Sequence, residues 1–499
     1  MKSSIRAVIN EILDSGLLMR GSVKMHNMAR DAALWIANRS DNNKIFVNVD
    51  KPLSTVAEDN SIRDCFALSS WWFNEDPSFC QLHAPNLKML LVNISAHSSL
   101  NSLNLSPLTF EGIQGLQVFS LTINYKIVPI SFPPSIQLLT NVRTLRFNGL
   151  NLGDISFIAS LTSLEVLDLR CCYFNELPIG IGKLKSLKLL DLSECQFSEK
   201  TYNRAIGKCS QLEELYASNC YPNEYANEII MDICILLNLQ RFVLGDQIIQ
   251  ESTRLLRAHD FNISKLRTFN KNILQVAETI SLVGLHGGCK SIVPDMVGVV
   301  GSMNNLSTLY LTDCEEIECI FDATYDLKED DLIPSLAALR LKNMFNLKEL
   351  CHGPPLQVLH YFEKLELLDI DHCQKLHVIF PRECKLRNLK LLRLSNCKTN
   401  EVLFSASVAQ SLQQLEQLKI SDCNELKHII AASGSELMNE LEIVLPNLTN
   451  ITLHNLPNFV DICNGSKLHA VKLQILNIYN CPKTASSLRS TIQVTLLPC

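Results

Sequence analysis

Two stretches of the chain are near-copies of each other in their apolar pattern. Residues 164–174 read LEVLDLRCCYF and residues 187–197 read LKLLDLSECQF. Leu164, Leu167, Leu169 and Cys172 in the first line become Leu187, Leu190, Leu192 and Cys195 in the second. The L-x-L core alternates apolar and polar positions, which predicts a short strand with one buried face. The same spacing recurs at Leu116-Phe119-Leu121-Asn124, Leu212-Leu215-Ala217-Cys220, Leu306-Leu309-Leu311-Cys314 and Leu365-Leu368-Ile370-Cys373. It continues at Leu389-Leu392-Leu394-Cys397, Leu415-Leu418-Ile420-Cys423 and Leu473-Leu476-Ile478-Cys481. Weaker copies start at Leu87, Val142, Leu336 and Leu448, residues 247–275 are the least regular, and Ile280-Ser281-Leu282 reads as a degenerate strand.

A unit of roughly 20–29 residues with this line is the pattern of a leucine-rich repeat. The fold class expected is an α/β repeat solenoid, a leucine-rich-repeat horseshoe with a parallel β-sheet on its concave face. The leucines of each L-x-L point inward and the residues between them face out. The Asn or Cys position lies just past the strand, where the chain turns. There an asparagine supplies hydrogen bonds, and a cysteine packs as a small apolar residue with a weak donor.

The outward residue of each strand is the readable surface. The candidate partner-binding face is Asp168, Asp191, Tyr216, Tyr310, Arg340, Asp369, Arg393 and Lys419. With strands about 4.8 Å apart, these side chains form a ladder. Arg340, Asp369 and Arg393 alternate in sign and should pair, whereas Asp168 beside Asp191 sets like charges together. The face therefore reads acidic early and more basic from 340 to 419. A solvated surface with ordinary ion pairs, each worth about 0–1 kcal/mol, is the bland alternative. The concave face of a solenoid is its usual binding surface.

The front of the chain lacks the repeat. Residues 1–40 read as a short helix, a hairpin from Leu17-Leu18-Met19 to Val23-Lys24-Met25 around Gly21, and a helix from about Asn27 to Asn38. Residues 41–84 read as a transition and capping segment, with alternation at 45–49 and the aromatic cluster Trp71-Trp72-Phe73. The array is expected over 85–499.

Residues 23–37, VKMHNMARDAALWIA, resemble the segment of plant intracellular nucleotide-binding leucine-rich-repeat immune receptors, coiled-coil class, that holds the Met-His-Asp motif. Val23, Lys24, Met25, His26, Arg30, Asp31, Ala33, Leu34, Trp35, Ile36 and Ala37 match, and Asn27 stands where that family has Asp. The LPNL…LPNF style of residues 445–459 also resembles the C-terminal halves of these receptors. The resemblance implies an N-terminally truncated disease resistance protein, with residues 1–40 the C-terminal remnant of a winged-helix domain. It implies a nucleotide-sensing role for Met25, His26 and Asn27 where a nucleotide site exists. ADP or ATP is implied for a full-length family member and no cofactor for this chain. It further implies repeats that recognise a pathogen effector or a guarded host protein. In a full-length member they also restrain the ADP/ATP-switched core, and the nucleotide-binding core of a related receptor is a further partner.

Composition narrows the remaining classes. A repeat array removes the inference of about three globular domains from 499 residues. Net charge is −6 with 19% charged residues, so no nucleic-acid partner is expected. No run of about 18 apolar residues predicts a membrane span, and Glu11 and Asp14 break the apolar residues near the N-terminus, which argues against a leader. The location expected is cytoplasmic, or nuclear or at the inner face of the plasma membrane through partners. Many of the 19 cysteines recur at one repeat position, as buried reduced thiols would. With no C-x-x-C, H-E-x-x-H, G-x-S-x-G or dinucleotide fingerprint, neither a metal site nor catalysis is expected. Gly180-Ile181-Gly182-Lys183 lacks the spacing of a phosphate loop and reads as a turn between repeats. Two rivals stay open: a cytosolic repeat adaptor such as a ubiquitin-ligase substrate receptor, and a non-functional receptor gene fragment.

Overall fold

In a computed structural model of the chain, the described residues are 44–49, 62–73, 79–95, 101–124, 127–197, 204–220, 238–245, 254–264, 272–325, 333–353, 362–381, 384–431, 442–464 and 467–484, with isolated pieces including 18–19, 24–25 and 492–493. They fall into two compact units, Met1–Glu214 and Leu215–Cys499.

In the first unit, the L-x-L segments become parallel strands stacked in chain order. Lys44–Val49, Cys65–Trp72, Met89–Ser95, Val118–Asn124, Thr144–Asn148, Val166–Asp168 and Leu189–Asp191 pair successively. The inward residues, such as Leu90, Val92, Phe119, Leu121, Leu145, Leu167 and Leu190, are buried. A narrower sheet orders Gln196–Phe197, Tyr173–Phe174, Leu150–Gly153, Val128–Ser131 and Leu103–Asn104. Short 3-10 helices, among them Ile179–Lys183, return the chain to the next strand.

That last helix contains Gly180 and Gly182. A Cβ would meet Ala159 Cβ at 2.6 Å from the first and Lys208 Cβ at 2.3 Å from the second. The two glycines let successive repeats pack closely, a use unrelated to phosphate.

The sheet starts earlier than the sequence suggested. Residues 41–84, expected to cap the array, supply two of its strands, and Asn48 and Ser70 show why the leucine line misses them. Ser70 takes an inward position usually held by leucine, and Asn48 Nδ2 donates to its hydroxyl at 2.9 Å. Asn48 Nδ2 also donates to Lys51 O at 2.9 Å, while Asn48 Oδ1 is buried without a partner, and no apolar residue marks either position. Within the aromatic cluster, Trp72 is buried, while Trp71 and Phe73 are exposed and stack 5.9 Å apart.

The second unit repeats the plan. Arg241–Gly245, Arg254–His259, Thr279–Val283, Thr308–Thr312, Ala338–Lys342, Leu367–Asp371, Leu391–Ser395, Gln417–Ser421, Asn450–His454 and Ile475–Tyr479 form a parallel sheet in chain order. The span 247–275, the least regular by sequence, holds a full strand, with Leu256 and Ala258 buried. Beyond several of these strands a second, wall strand follows. Cys319–Asp322 pairs with Glu349–His352, and Val402–Ser405, His428–Ala431 and Asp461–Cys463 form a separate three-stranded piece.

The turn after each sheet strand has one recurring feature. The residue before the cysteine position takes positive φ: Asp313, Asn343, His372, Asn396, Asp422, Asn455 and Asn480 all lie at 53–55°. These residues bond along the stack, as in Asn343 Nδ2 to Asp313 Oδ1 and Asn455 Nδ2 to Asp422 Oδ1, both 2.9 Å. The side-chain hydrogen bonds assigned to the Asn/Cys position thus come largely from the residue ahead of it. The cysteine behind is buried, and its thiol donates to backbone: Cys397 Sγ to Ser395 O at 3.1 Å and Cys423 Sγ to Ser421 O at 3.3 Å.

At the front, Leu18–Met19 and Lys24–Met25 pair antiparallel, in the register of a hairpin. His26, Asn27 and the helix expected over 27–38 lie outside the described residues, as does the acidic insertion 326–331.

Candidate partner-binding face

Strand alternation leaves one central outward residue on each sheet strand, and register sets those residues side by side. In the second unit the line runs Arg257, Ser281, Tyr310, Arg340, Asp369, Arg393, Lys419, Thr452, Asn477. The structure therefore brings Tyr310, Arg340, Asp369, Arg393 and Lys419 into one ladder. Within it, four cations face one carboxylate.

The pairing within the ladder is uneven. Arg393 Nη1 reaches Asp369 Oδ2 at 3.5 Å. Arg340, expected to pair with the same carboxylate, instead sets its guanidinium over the Tyr310 ring, 5.0 Å from the centroid. Its Nε is buried without a hydrogen-bond partner. Lys419 forms no ion pair among the described residues, because its strand neighbours are Arg393 and Thr452. Burial pushes the Asp369 carboxyl above the usual carboxylate range and raises the Tyr310 phenol. Beside the charged line, Ala338, Leu367 and Leu391 form a half-buried apolar row on adjacent strands.

Arg257 was not read from the sequence. Its strand, RLLRAH, has Ala258 where a leucine would mark the repeat. The guanidinium Nε and Nη1 are both buried without a hydrogen-bond partner. Gly245, opposite it at φ 79°, leaves room: a Cβ there would lie 2.3 Å from Arg257 O. The available signal was the glycine closing the strand before, RFVLG.

In the first unit the ladder corrects the expectation of an open acidic end. Asp168 and Asp191 are direct neighbours, but Arg146 flanks Asp168 on the other strand. Arg146 Nε lies 3.2 Å from Asp168 Oδ2, and Arg170 Nη2 lies 2.9 Å from the same oxygen. Arg170 Nε also reaches Asp191 Oδ2 at 3.3 Å. Asp168 is only 8% exposed. The cation that the two carboxylates need is thus built into the chain. The hydrogen bond to Asp168 raises the already high Arg170 pKa, and burial raises that of Asp191. Tyr216 is half-buried on Glu214–Ser218, the strand that straddles the division between units.

Among the described residues no group of three or more His, Cys, Asp or Glu side chains is placed to hold a metal. No helix among them is long and apolar enough to cross a membrane. His372 is paired with Asp371, Nδ1 to Oδ1 at 2.7 Å, and Cys373 beside it is buried. A hydrogen bond shared with Cys397, together with burial, pushes the Cys373 thiol up, away from nucleophilic use.

Residues 287–398 and 383–497 match the family described as plant disease resistance protein RPS2-like, leucine-rich repeats. A disease resistance protein of Arabidopsis thaliana is 23% identical over 528 residues, covering 94% of this chain and 49% of the relative. The chain thus spans about half the length of that curated relative. A Leptospira interrogans leucine-rich-repeat protein of known structure has a TM-score of 0.38 at 16% identity, over 93% of this chain and 98% of that one. A plant peptide hormone receptor solved in complex with RGF2 has a TM-score of 0.33 at 16% identity, over 82% of this chain and 80% of that one. The chain is a leucine-rich-repeat solenoid, and its residues 287–497 are similar to the repeats of plant RPS2-like disease resistance proteins.

Proposed function

We propose that this chain is a binding module of plant defence, not an enzyme, and that the outward face of the sheet strands in its second unit takes an acidic segment of a protein partner. The observation that carries the reading is the ladder from Arg257 to Lys419. Guanidinium nitrogens of Arg257 and Arg340 are buried without partners, and Lys419 is unpaired among the described residues. A buried donor without an acceptor costs about 1–3 kcal/mol, which a carboxylate delivered by a partner would recover. The half-buried row Ala338, Leu367, Leu391 adds an apolar strip for the same partner.

The partner that fits the family likeness is a pathogen effector or a guarded host protein, met in the cytoplasm, in the nucleus or at the inner face of the plasma membrane. The resemblance at residues 23–37 extends the reading to the coiled-coil class of nucleotide-binding receptors. There Met25, His26 and Asn27 would sense ADP or ATP, residues 1–40 would belong to a winged helix, and the repeats would restrain the switched core.

Capture of candidate effectors by the purified chain tests the face. The triple variant Arg340→Glu, Arg393→Glu, Lys419→Glu should lose at least about tenfold in affinity. Capture equal to that of the unaltered chain would place recognition elsewhere. Reversal of Asp168, by contrast, should damage folding, because that carboxylate holds Arg146 and Arg170.

A further inference from the structure

One backbone hydrogen bond recurs at the same place along the wall of the second unit, and between two repeats it is missing. Glu318 N donates to Lys290 O, Lys348 N to Glu318 O and His377 N to Lys348 O, at 2.8–2.9 Å. Further on, Lys427 N donates to Glu401 O and Val460 N to Lys427 O, both at 2.8 Å. Between His377 and Glu401 no such bond forms among the described residues, and Val402–Ser405 pairs on one side only.

The cause is legible in the repeat that begins at Cys397. In its neighbours the third residue after the cysteine position is apolar and buried: Ile317, Leu347, Leu376, Leu426 and Phe459. Each of those residues also closes a turn, as when Leu376 N donates to Cys373 O at 3.2 Å. Here the position is Asn400, which is exposed, and no such turn closes. Thr399 goes inside in its place, 4% exposed, with its hydroxyl unpartnered. A missing leucine leaves volume, and a buried hydroxyl without a partner is unfavourable by about 1–3 kcal/mol.

The result is a partly open cleft of about 520 Å³, lined by His377, Ile379, Phe380, Thr399, Glu401 and Val408 among others. That is within the range of roughly 300–1,000 Å³ seen for ligand pockets. Ile379 and Leu403 on its two sides are 4% and 8% exposed, where the corresponding Ile320 and Leu350 are at 0%. Below, Phe380 stacks on Phe404 at 5.3 Å and holds the sides together.

We infer that this cleft docks an extended peptide segment, which adds to the wall between His377 and Glu401. The free groups left by the break are a carbonyl on one side and an N–H on the other. A ligand residue placed as Lys348 is placed in its own repeat would donate to His377 O and accept from Glu401 N. An extended backbone presents that pair of groups, and its apolar side chain fills the space of the missing leucine. The site is distinct from the outward sheet face and stands or falls without it.

The test uses the full chain and a capped pentapeptide with the sequence of residues 426–430, LKHII, the wall strand that follows the break. Amide hydrogen exchange at Glu401 should slow by an order of magnitude or more on saturation, as expected for a newly bonded amide. Thr399→Leu, which restores the repeat's apolar residue, should weaken the peptide by roughly tenfold or more while the fold is kept. Glu401→Pro, which deletes the donor and leaves the carbonyl to Lys427, should do the same and serves if the first variant fails to fold. Gln410→Ala, on the exposed side of the adjoining helix, should bind as the unaltered chain does. Unchanged exchange at Glu401 with millimolar peptide would overturn the proposal. So would equal binding in both cleft variants, or a cleft filled by indole but not by the peptide.

Discussion

Asn455 shows how much one residue per repeat carries. It sits at φ 53°, its side chain donates to Asp422, and its N–H donates to Tyr479 O at 3.0 Å. Asparagine and aspartate tolerate this left-handed conformation, whereas a β-branched residue does not. Asn455→Val should therefore lower stability by about 1–3 kcal/mol in urea unfolding, and Asn455→Gly by clearly less. The cysteines that follow these residues are packing groups. Burial pushes the Cys172 and Cys423 thiols up to about 12. At pH 8 their alkylation should run roughly a thousandfold slower than that of free cysteine, with mass spectrometry as the readout. Their buried position was readable from the repeat line. The left-handed residue ahead of them was not, because D-C and N-C pairs in sequence do not announce a backbone angle.

Between elements, register decides which charges meet. Asp168, Asp191 and the flanking Arg146 lie on three successive strands, and Arg170 closes over both carboxylates. Because burial raises the Asp191 pKa, the folded state binds that proton more tightly than the unfolded chain does. Asp191 thus favours folding below its unfolded pKa, and that contribution is lost as pH rises through the folded value. Asp191→Asn should accordingly be more stable than the parent at neutral pH, and the advantage should vanish below about pH 4 in thermal melts. The strands that carry these residues were visible in the leucine spacing. Arg146 was visible as a residue but not as a partner, since only pairing of Thr144–Asn148 with Val166–Asp168 sets it against Asp168. Arg257 escaped because Thr253, Ala258 and Phe261 stand where the repeat line has leucine, leucine and asparagine or cysteine.

At the scale of the molecule, parallel strands stack in chain order within each compact unit, and stability in such arrays is built from neighbouring repeats. Leu190→Ala in the first unit and Leu392→Ala in the second should each cost about 2–5 kcal/mol. Because contacts are local, each loss should register in the unfolding of its own unit, followed by hydrogen exchange. At the same scale, a ladder with four cations and one carboxylate predicts salt-sensitive recognition. Partner capture should weaken as ionic strength rises from about 0.05 to 0.5 M, since exposed charges are then screened within a few ångström. Salt-independent capture would favour the apolar row Ala338, Leu367, Leu391 as the main contact.

The sequence by itself determined the repeat, its inward leucines and cysteines, and the identity of most outward residues, because a period of two along a strand is a local property. Tertiary structure alone decided the rest. It joined Ser70 and Asn48 into a buried polar pair and set the segment read as a cap into the sheet of the first unit. It neutralised Asp168 and Asp191 with Arg146 and Arg170, and left guanidinium nitrogens of Arg257 and Arg340 without acceptors. It also turned one absent leucine beside Thr399 into a cleft. Each of these depends on which residues different repeats set side by side, and that is fixed by how the strands stack.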